Sequence, residues 1–273
     1  MSQICFNGKF VKEDEPVLLA ANRSYRYGDG LFETIKVSQG KILLEQFHFE
    51  RLFSGLSVLK FEIPKLFSPE KISDQILQLC KKNNCDGLGR VRLSVFRGNG
   101  GLYDTDSSLQ YIIECWPLNE SVNRLNEKGL VIDIFPDAKK SVDNFSNLKS
   151  ANFLPYSMAA LYAKENKLND CLILNTGGNI TDSTKANIFL IKNRLVKTPA
   201  LTQGCINGVM RRYLLTSLAE TGYQVQETTI NEGDLLHADE IFLTNAINGI
   251  RWVKQFRDNI YINTMTVEIY NRV

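Results

Sequence analysis

Apolar and polar positions alternate over two early stretches, "QICFNGKFV" and "LFETIKVSQGKILLE", which predicts strands. The second is a hairpin that turns at Ser38 to Lys41 around a glycine. The rhythm then lengthens to that of a helix. In "EQFHFERLFSGLSVL", residues 45 to 59, Phe49, Leu52, Phe53, Leu56 and Leu59 share a face. A second helix is predicted over residues 69 to 82, followed by strands at "RVRLSVFRG" and "LQYIIECW". The polar stretch "PLNESVNRLNEKG", residues 117 to 129, breaks the pattern and reads as a linker. Beyond it, "LVIDIFP", "CLILN", "ANIFLIK", "RLVKTP", "YQVQE", "EIFLTNAI" and "IRWVKQF" read as strands. Residues 152 to 166, 208 to 221 and 264 to 271 read as helices. Strands and helices mix in both halves, so an α+β chain of two α/β domains is expected: residues 1–116, the linker 117–129, and residues 130–273.

Composition narrows the function classes. With 273 residues, 44% hydrophobic and 23% charged, the chain has ample material for a core. Lys+Arg at 32 against Asp+Glu at 30 gives a net charge of +2, too balanced for a nucleic-acid footprint or a membrane-surface patch. A charged ligand therefore needs a local site. No apolar run has the length of a spanning helix, and "MSQICFNGKF" lacks a basic segment leading into an apolar one, so a cytoplasmic protein is expected. The six cysteines are scattered, with no C-x-x-C pair and none at zinc spacing to His48 or His237, and are expected as reduced, packed thiols. Two distant histidines leave little for a histidine-rich metal site or a Ser-His-Asp triad. No metal is expected.

Four stretches carry candidate chemistry, each with a plain structural alternative. Lys149, in "SVDNFSNLKSANFLPYSMAALYAKENK", stands where a loop meets a helix, and is either a solvated lysine near a cap or a reactive amine. In "QGCINGVMRRY", Gly204 and Gly208 flank Asn207 before a helix. The backbone amides of Gly208, Val209 and Met210 offer an anion site, or the helix is simply capped. His48 and Arg51 are neighbours on the helix of residues 45 to 59, as a phosphate contact or a surface pair. Asp182, in "GGNITDSTKANIF", either caps its own turn or is the hydrogen-bond acceptor that keeps a heterocyclic nitrogen protonated. The glycines of "FRGNGGLYDTD", residues 96 to 106, break the dinucleotide pattern at Tyr103, and no nucleotide-binding P-loop motif occurs. A glycine-rich active-site loop remains open.

Taken in order, "RYGDGLFETIKV", "HFERL", "LKSAN", "ITDSTKANIF" and "QGCINGVMR" resemble the class IV aminotransferase family, fold-type IV enzymes dependent on pyridoxal 5′-phosphate. The resemblance spans nearly the whole chain. It implies a D-amino acid aminotransferase-like fold of two α/β domains with the cofactor in the cleft between them, usually a homodimer, and a small amino-acid-like substrate. It makes Lys149 the Schiff-base lysine and Arg51 a phosphate ligand. Gly208, Val209, Met210, Asn245 and Ala246 become further cofactor contacts, and Asp182 the partner of the pyridine nitrogen. Tyr27, Arg92, Tyr103 and Phe153 become substrate candidates, with Tyr25 also near the pocket wall. An arginine on a strand suits a substrate carboxylate, or else pairs with a neighbouring acid. Within the family, "RGNGG", "LKSAN", "QGCINGVMRRY" and "ADEIFLTNAI" are most similar to a lyase branch that eliminates pyruvate. The alternatives are amino-acid aminotransfer, of branched-chain or D-amino acid type, and a non-catalytic binder of the cofactor or a metabolite. The chain departs from the family at Asp182, where glutamate is usual. It departs from many lyases at Leu102, from branched-chain enzymes at Phe153, and from the D-amino acid enzymes at Leu102 and Asp104.

Overall fold

A computed structural model describes residues 2–104, 108–220 and 222–273. The ends of the expected glycine loop (residues 105 and 106) and of the expected helix 208–221 (Thr221) lie outside the described residues. The chain divides into two compact units, Met1–Ser121 with Leu148–Asn152, and Val122–Asn147 with Phe153–Val273. The expected boundaries put Lys149 with the C-terminal domain. Its segment instead groups with the first unit, because Lys149 O accepts Phe32 N at 3.0 Å and Ala151 N donates to Gly30 O at 2.9 Å.

The first unit contains, in order, β1 (Gln3–Phe6), β2 (Lys9–Lys12), α1 (Arg23–Tyr27), β3 (Gly30–Ser38), β4 (Lys41–Ile42), α2 (Glu45–Val58), α3 (Pro69–Lys82), β5 (Leu88–Arg97) and β6 (Leu109–Pro117). Among the described residues the strands form a six-stranded sheet in the order β2-β1-β6-β5-β3-β4, with antiparallel pairs throughout. Period-two alternation sends Leu31, Ile35 and Val37 of β3 into the core that α2 and α3 cover. On α3 the buried residues Ile72, Ile76, Leu79 and Cys80 form one stripe, and Ser68 caps the helix start through Lys71 N, with Pro69 in the first turn. Burying each large apolar side chain contributes roughly 2 kcal/mol, so the covered face holds these helices more than their intrinsic propensity does.

The second unit contains β7 (Leu130–Lys140), α4 (Leu154–Glu165), β8 (Asp170–Asn175), β9 (Ile180–Ser183), β10 (Asn187–Lys192), β11 (Leu195–Pro199), α5 (Val209–Glu220), β12 (Gln224–Thr228), α6 (Glu232–His237), β13 (Glu240–Asn245), β14 (Gly249–Phe256), β15 (Asn259–Ile260) and α7 (Thr264–Tyr270). Its mixed sheet runs β12-β11-β10-β13-β14-β7-β8-β9, with β15 paired to β14. Both faces are covered. Ile188 and Leu190 of β10 join one core cluster while Phe189 and Ile191 join another, which explains an almost unbroken apolar run. The expected linker is fastened to this unit, since Asn126 exchanges side-chain hydrogen bonds with Trp252 N (2.9 Å) and Trp252 O (3.0 Å). No helix among the described residues is long and apolar enough to cross a membrane.

Candidate functional site

Lys149 precedes the first residue of α4 by five positions, so it does not sit at the helix start that the sequence pattern suggested. Its segment lies along β3, with a bridge from Ser150 to Leu31. Alternation within this segment sorts its side chains. Leu148 packs into the core beside Gly55 of α2, and Lys149 turns the other way, its Nζ 4.5 Å from the centre of the Phe32 ring. Arg92 of β5 meets the same ring at 4.0 Å. Two cations thus share one buried aromatic residue.

Arg51 and His48 occupy the opposite face of β3. Glu33 falls in the core phase of the strand, between Leu31 and Ile35, and is 2% exposed. A carboxylate there must be met by donors. The helical spacing of α2 brings both: His48 Nδ1 lies 2.6 Å from Glu33 Oε2, and Arg51 binds in a fork, Nε to Oε1 at 2.8 Å and Nη2 to Oε2 at 2.5 Å. Burial alone pushes the Glu33 carboxyl up, but Arg51 and His48 beside it win and hold it at about 2. The His48–Arg51 pair is therefore internal rather than a surface pair. Glu33 was missed in the sequence; its signal was an acid in the apolar phase of an alternating strand.

In the second unit Asp182 lies on β9, opposite Ile173 of β8, so it is a strand residue and not the cap of a turn. It is 2% exposed. Oδ2 accepts Ile206 N at 2.8 Å and Lys140 Nζ at 3.3 Å, Oδ1 accepts Thr181 Oγ1 at 2.9 Å, and the Tyr156 hydroxyl bridges both oxygens at 3.1 and 3.2 Å. Ile206 N and Lys140 Nζ can only donate, whereas the Thr181 hydroxyl also reaches Ile173 O at 2.9 Å. Lys140 also contacts the Tyr156 hydroxyl. Burial, then the neighbouring Asp182 charge, raises the Tyr156 phenol well above its ordinary range, so it stays a donor. Tyr156 and Lys140 had no sequence signal beyond helical and strand periodicity.

The turn before α5 is drawn tight. Asn187 Nδ2 donates to Ile206 O at 2.8 Å, and a Cβ on Gly208 would overlap Asn187 Oδ1. Gly208 N already donates to Ile206 O at 2.8 Å, which corrects the expectation of a free amide there. Val209 and Met210 open the helix, in the first turn where amides lack intrahelical acceptors. Asn245, at the end of β13, accepts Ile247 N (3.0 Å) and Asn248 N (2.9 Å), shaping the turn that holds Ala246.

The substrate candidates divide. Arg92 stands over Phe32, donates to Ser94 Oγ at 3.2 Å and faces Glu114 across the β5–β6 ladder. Burial lowers the Arg92 guanidinium and raises the Glu114 carboxyl, while their attraction opposes both shifts. Phe153 stacks on Tyr156 with ring centres 4.3 Å apart. Tyr25, Tyr27 and Tyr103 are exposed at the surface of the first unit rather than packed in its core, with Tyr103 at 94%. The glycine-rich loop is anchored: Asp29 accepts Arg23 Nε at 2.9 Å and Arg97 Nη1 at 2.6 Å, and Arg23 Nη1 donates to Gly101 O at 2.8 Å. "RYGDG" and "RGNGG" are thus one assembly.

Comparison with known proteins agrees with this arrangement of motifs. The sequence profile described as Amino-transferase class IV matches residues 30–256. The chain is 28% identical over 273 residues to a Methanocaldococcus jannaschii protein provisionally named a branched-chain-amino-acid aminotransferase, covering 99% of this chain and 93% of that protein. It is 29% identical over 255 residues to the aminodeoxychorismate lyase of Bacillus subtilis, covering 89% and 83%. Among solved structures, a protein of Legionella pneumophila provisionally assigned as a 4-amino-4-deoxychorismate lyase superimposes with a TM-score of 0.84 at 27% identity, covering 94% of each chain. The match over most of its length makes the chain a member of the class IV aminotransferases, a family of pyridoxal phosphate-dependent enzymes.

Proposed function

We propose that this enzyme is a 4-amino-4-deoxychorismate lyase, which releases pyruvate and leaves 4-aminobenzoate, with Lys149 as its catalytic amine. The observation that carries the reading is the anchored glycine-rich loop, in which Arg23, Asp29 and Arg97 bind the lyase-like "RGNGG" to the "RYGDG" turn. The lyase relatives support it. A homodimer in the cytoplasm belongs to the same reading.

The residues present suit the cofactor. Val209 and Met210 open α5, and their amides, in the first turn where intrahelical acceptors are lacking, suit an anion. Asp182 is a buried carboxyl already met by the donors Ile206 N and Lys140 Nζ, and could accept a further N–H from a ring nitrogen. When bound, pyridoxal phosphate supplies an aldehyde carbon for an amine and a ring that draws electrons from the adjacent bond. In the first unit Arg51, braced by Glu33, would hold phosphate oxygens. In the second, Asn245 and Ala246 would be cofactor contacts. By length the contacts best able to yield at Asp182 are those of Lys140 Nζ at 3.3 Å and the Tyr156 hydroxyl at 3.1 and 3.2 Å, whereas Ile206 N is held at 2.8 Å. The Nζ of Lys149 gives and takes the proton at the substrate α-carbon. Arg92, which shares the Phe32 ring with it, would hold a substrate carboxylate.

Purified enzyme should show violet absorbance that borohydride bleaches, and should convert aminodeoxychorismate to 4-aminobenzoate and pyruvate. Lys149→Ala should abolish the absorbance and slow turnover by at least about a thousandfold. An unaltered spectrum in that variant would sink the assignment of Lys149. A second reading, amino-acid aminotransfer, draws on Arg92 and on the Methanocaldococcus relative. Amino exchange between leucine or alanine and 2-oxoglutarate, without 4-aminobenzoate release, would establish it instead.

A further inference from the structure

The last turn of α3, the turn after it and β6 bring Cys80, Cys85 and Cys115 together in the first unit. Their Sγ atoms all lie within 4.8 Å of one another, and the residues are 0, 1 and 5% exposed. Sequence spacing concealed the group, because the chain closes it by folding back twice. Cys85 N donates to Cys80 O at 2.9 Å, which bends the Asn83–Asn84 turn against the helix end, with Asn84 left-handed at φ 53. The β5–β6 ladder then sets Cys115 opposite Val91. Asn83 braces the trio: its amide donates to Gln3 O at 2.8 Å and to Cys115 Sγ at 3.3 Å, while its Oδ1 accepts Gln3 N at 3.0 Å. Simple apolar packing has no use for an amide aimed at a sulfur. A disulfide would use two of these sulfurs and leave the third without a role.

We propose that Cys80, Cys85 and Cys115 form a trigonal, all-sulfur binding site for a soft monovalent cation, Cu(I). Thiolates bonded to one metal at about 2.3 Å stand roughly 4 Å apart, within the observed span. Soft sulfur ligands favour Cu(I), whereas structural zinc takes four ligands, and this cluster of metal-binding side chains contains neither histidine nor carboxylate. Asn83 plays the part of an outer partner that fixes a ligand's orientation. Binding changes no oxidation state; each thiol that takes the metal gives its proton to solvent. The site is independent of the lyase assignment.

The test uses reduced, full-length, cofactor-loaded enzyme under anaerobic conditions, with Cu(I) supplied from a bicinchoninate complex. One equivalent should be retained, with an ultraviolet sulfur-to-copper band and an X-ray absorption shell of three sulfurs at about 2.3 Å. Cys85→Ser and Cys115→Ser should each weaken retention at least about 100-fold, and Asn83→Ala about 10-fold. Cys5→Ser and Cys171→Ser should leave it unchanged. Circular-dichroism melts report whether each variant folds, and Cys85→Ser, in a turn, serves if Cys115→Ser does not. Copper held equally well by the triple serine variant would overturn the proposal. So would dependence on Cys5 or Cys171, a two-sulfur shell, or Zn(II) bound more tightly than Cu(I).

Discussion

Replacing Glu33 by glutamine would leave Arg51 and His48 facing a neutral amide in a buried site, where breaking an ion pair costs about 3 kcal/mol or more. Urea unfolding of Glu33→Gln at pH 7 should show a loss of that order. The pH dependence has a definite sign. The carboxyl has a value near 4.5 when unfolded and about 2 when folded, so its contribution, of order 3 kcal/mol, is complete above the unfolded value. It is lost as pH falls through about 2. The difference between the native enzyme and Glu33→Gln should therefore shrink between about pH 4.5 and pH 2. An undiminished gap across that range would show that the pair contributes through packing instead. At this scale the sequence singles out Lys149 and Arg51 as candidates, because each stands in a recognisable motif. Glu33, Tyr156 and Lys140 escaped notice because their partners come from other elements, and a motif read along the chain contains no such pairing.

Elements were legible wherever one face is apolar and the other polar, or where both faces are covered. The predicted helices of residues 45 to 59 and 69 to 82 correspond to α2 and α3 within a residue. The short polar elements were missed. α1 depends on Asn22, whose side chain accepts Ser24 N and Tyr25 N, and α6 on a capping box between Asn231 and Asp234. β9 is a strand because β8 offers it a ladder, not because "ITDS" has strand periodicity. The turn into α5 gives a prediction at this scale. Gly208→Ala forces Asn187 away from Ile206 O, and overpacking of this kind costs typically 1–3 kcal/mol. The melting temperature should fall by several degrees. Asn187→Ala combined with it should cost less than the sum of the two single changes, since one removes the clash the other creates. Additive losses would mean that the two residues act separately.

The whole molecule is two units that the chain enters out of order, since it leaves the first at Ser121, returns for Leu148–Asn152 and departs again. No composition shift marks that return, which is why a single linker was expected at residues 117 to 129. Hydrogen exchange can test the assignment. The amide of Ala151 bonds to Gly30 O and should be protected together with β3 and β5. Leu93→Ala, which opens a cavity in the first core at a cost of about 2–5 kcal/mol, should speed exchange at Ala151 and leave β10 and β13 unchanged. Protection of Ala151 that followed β10 instead would place its segment with the other unit. The bridge between Ser150 and Leu31 has one more consequence, a matter of parity. Along this segment odd and even positions answer to different surroundings, Leu148 to the helix side and Lys149 to the ring of Phe32. A slip by one residue would seat a lysine among apolar side chains and set a leucine against the ring of Phe32, whereas a slip by two would set Ala151 in the place of Lys149. The amine is thus held at its post by the phase of a five-residue ribbon, and an insertion upstream is tolerable only while the loop before Leu148 absorbs all of it.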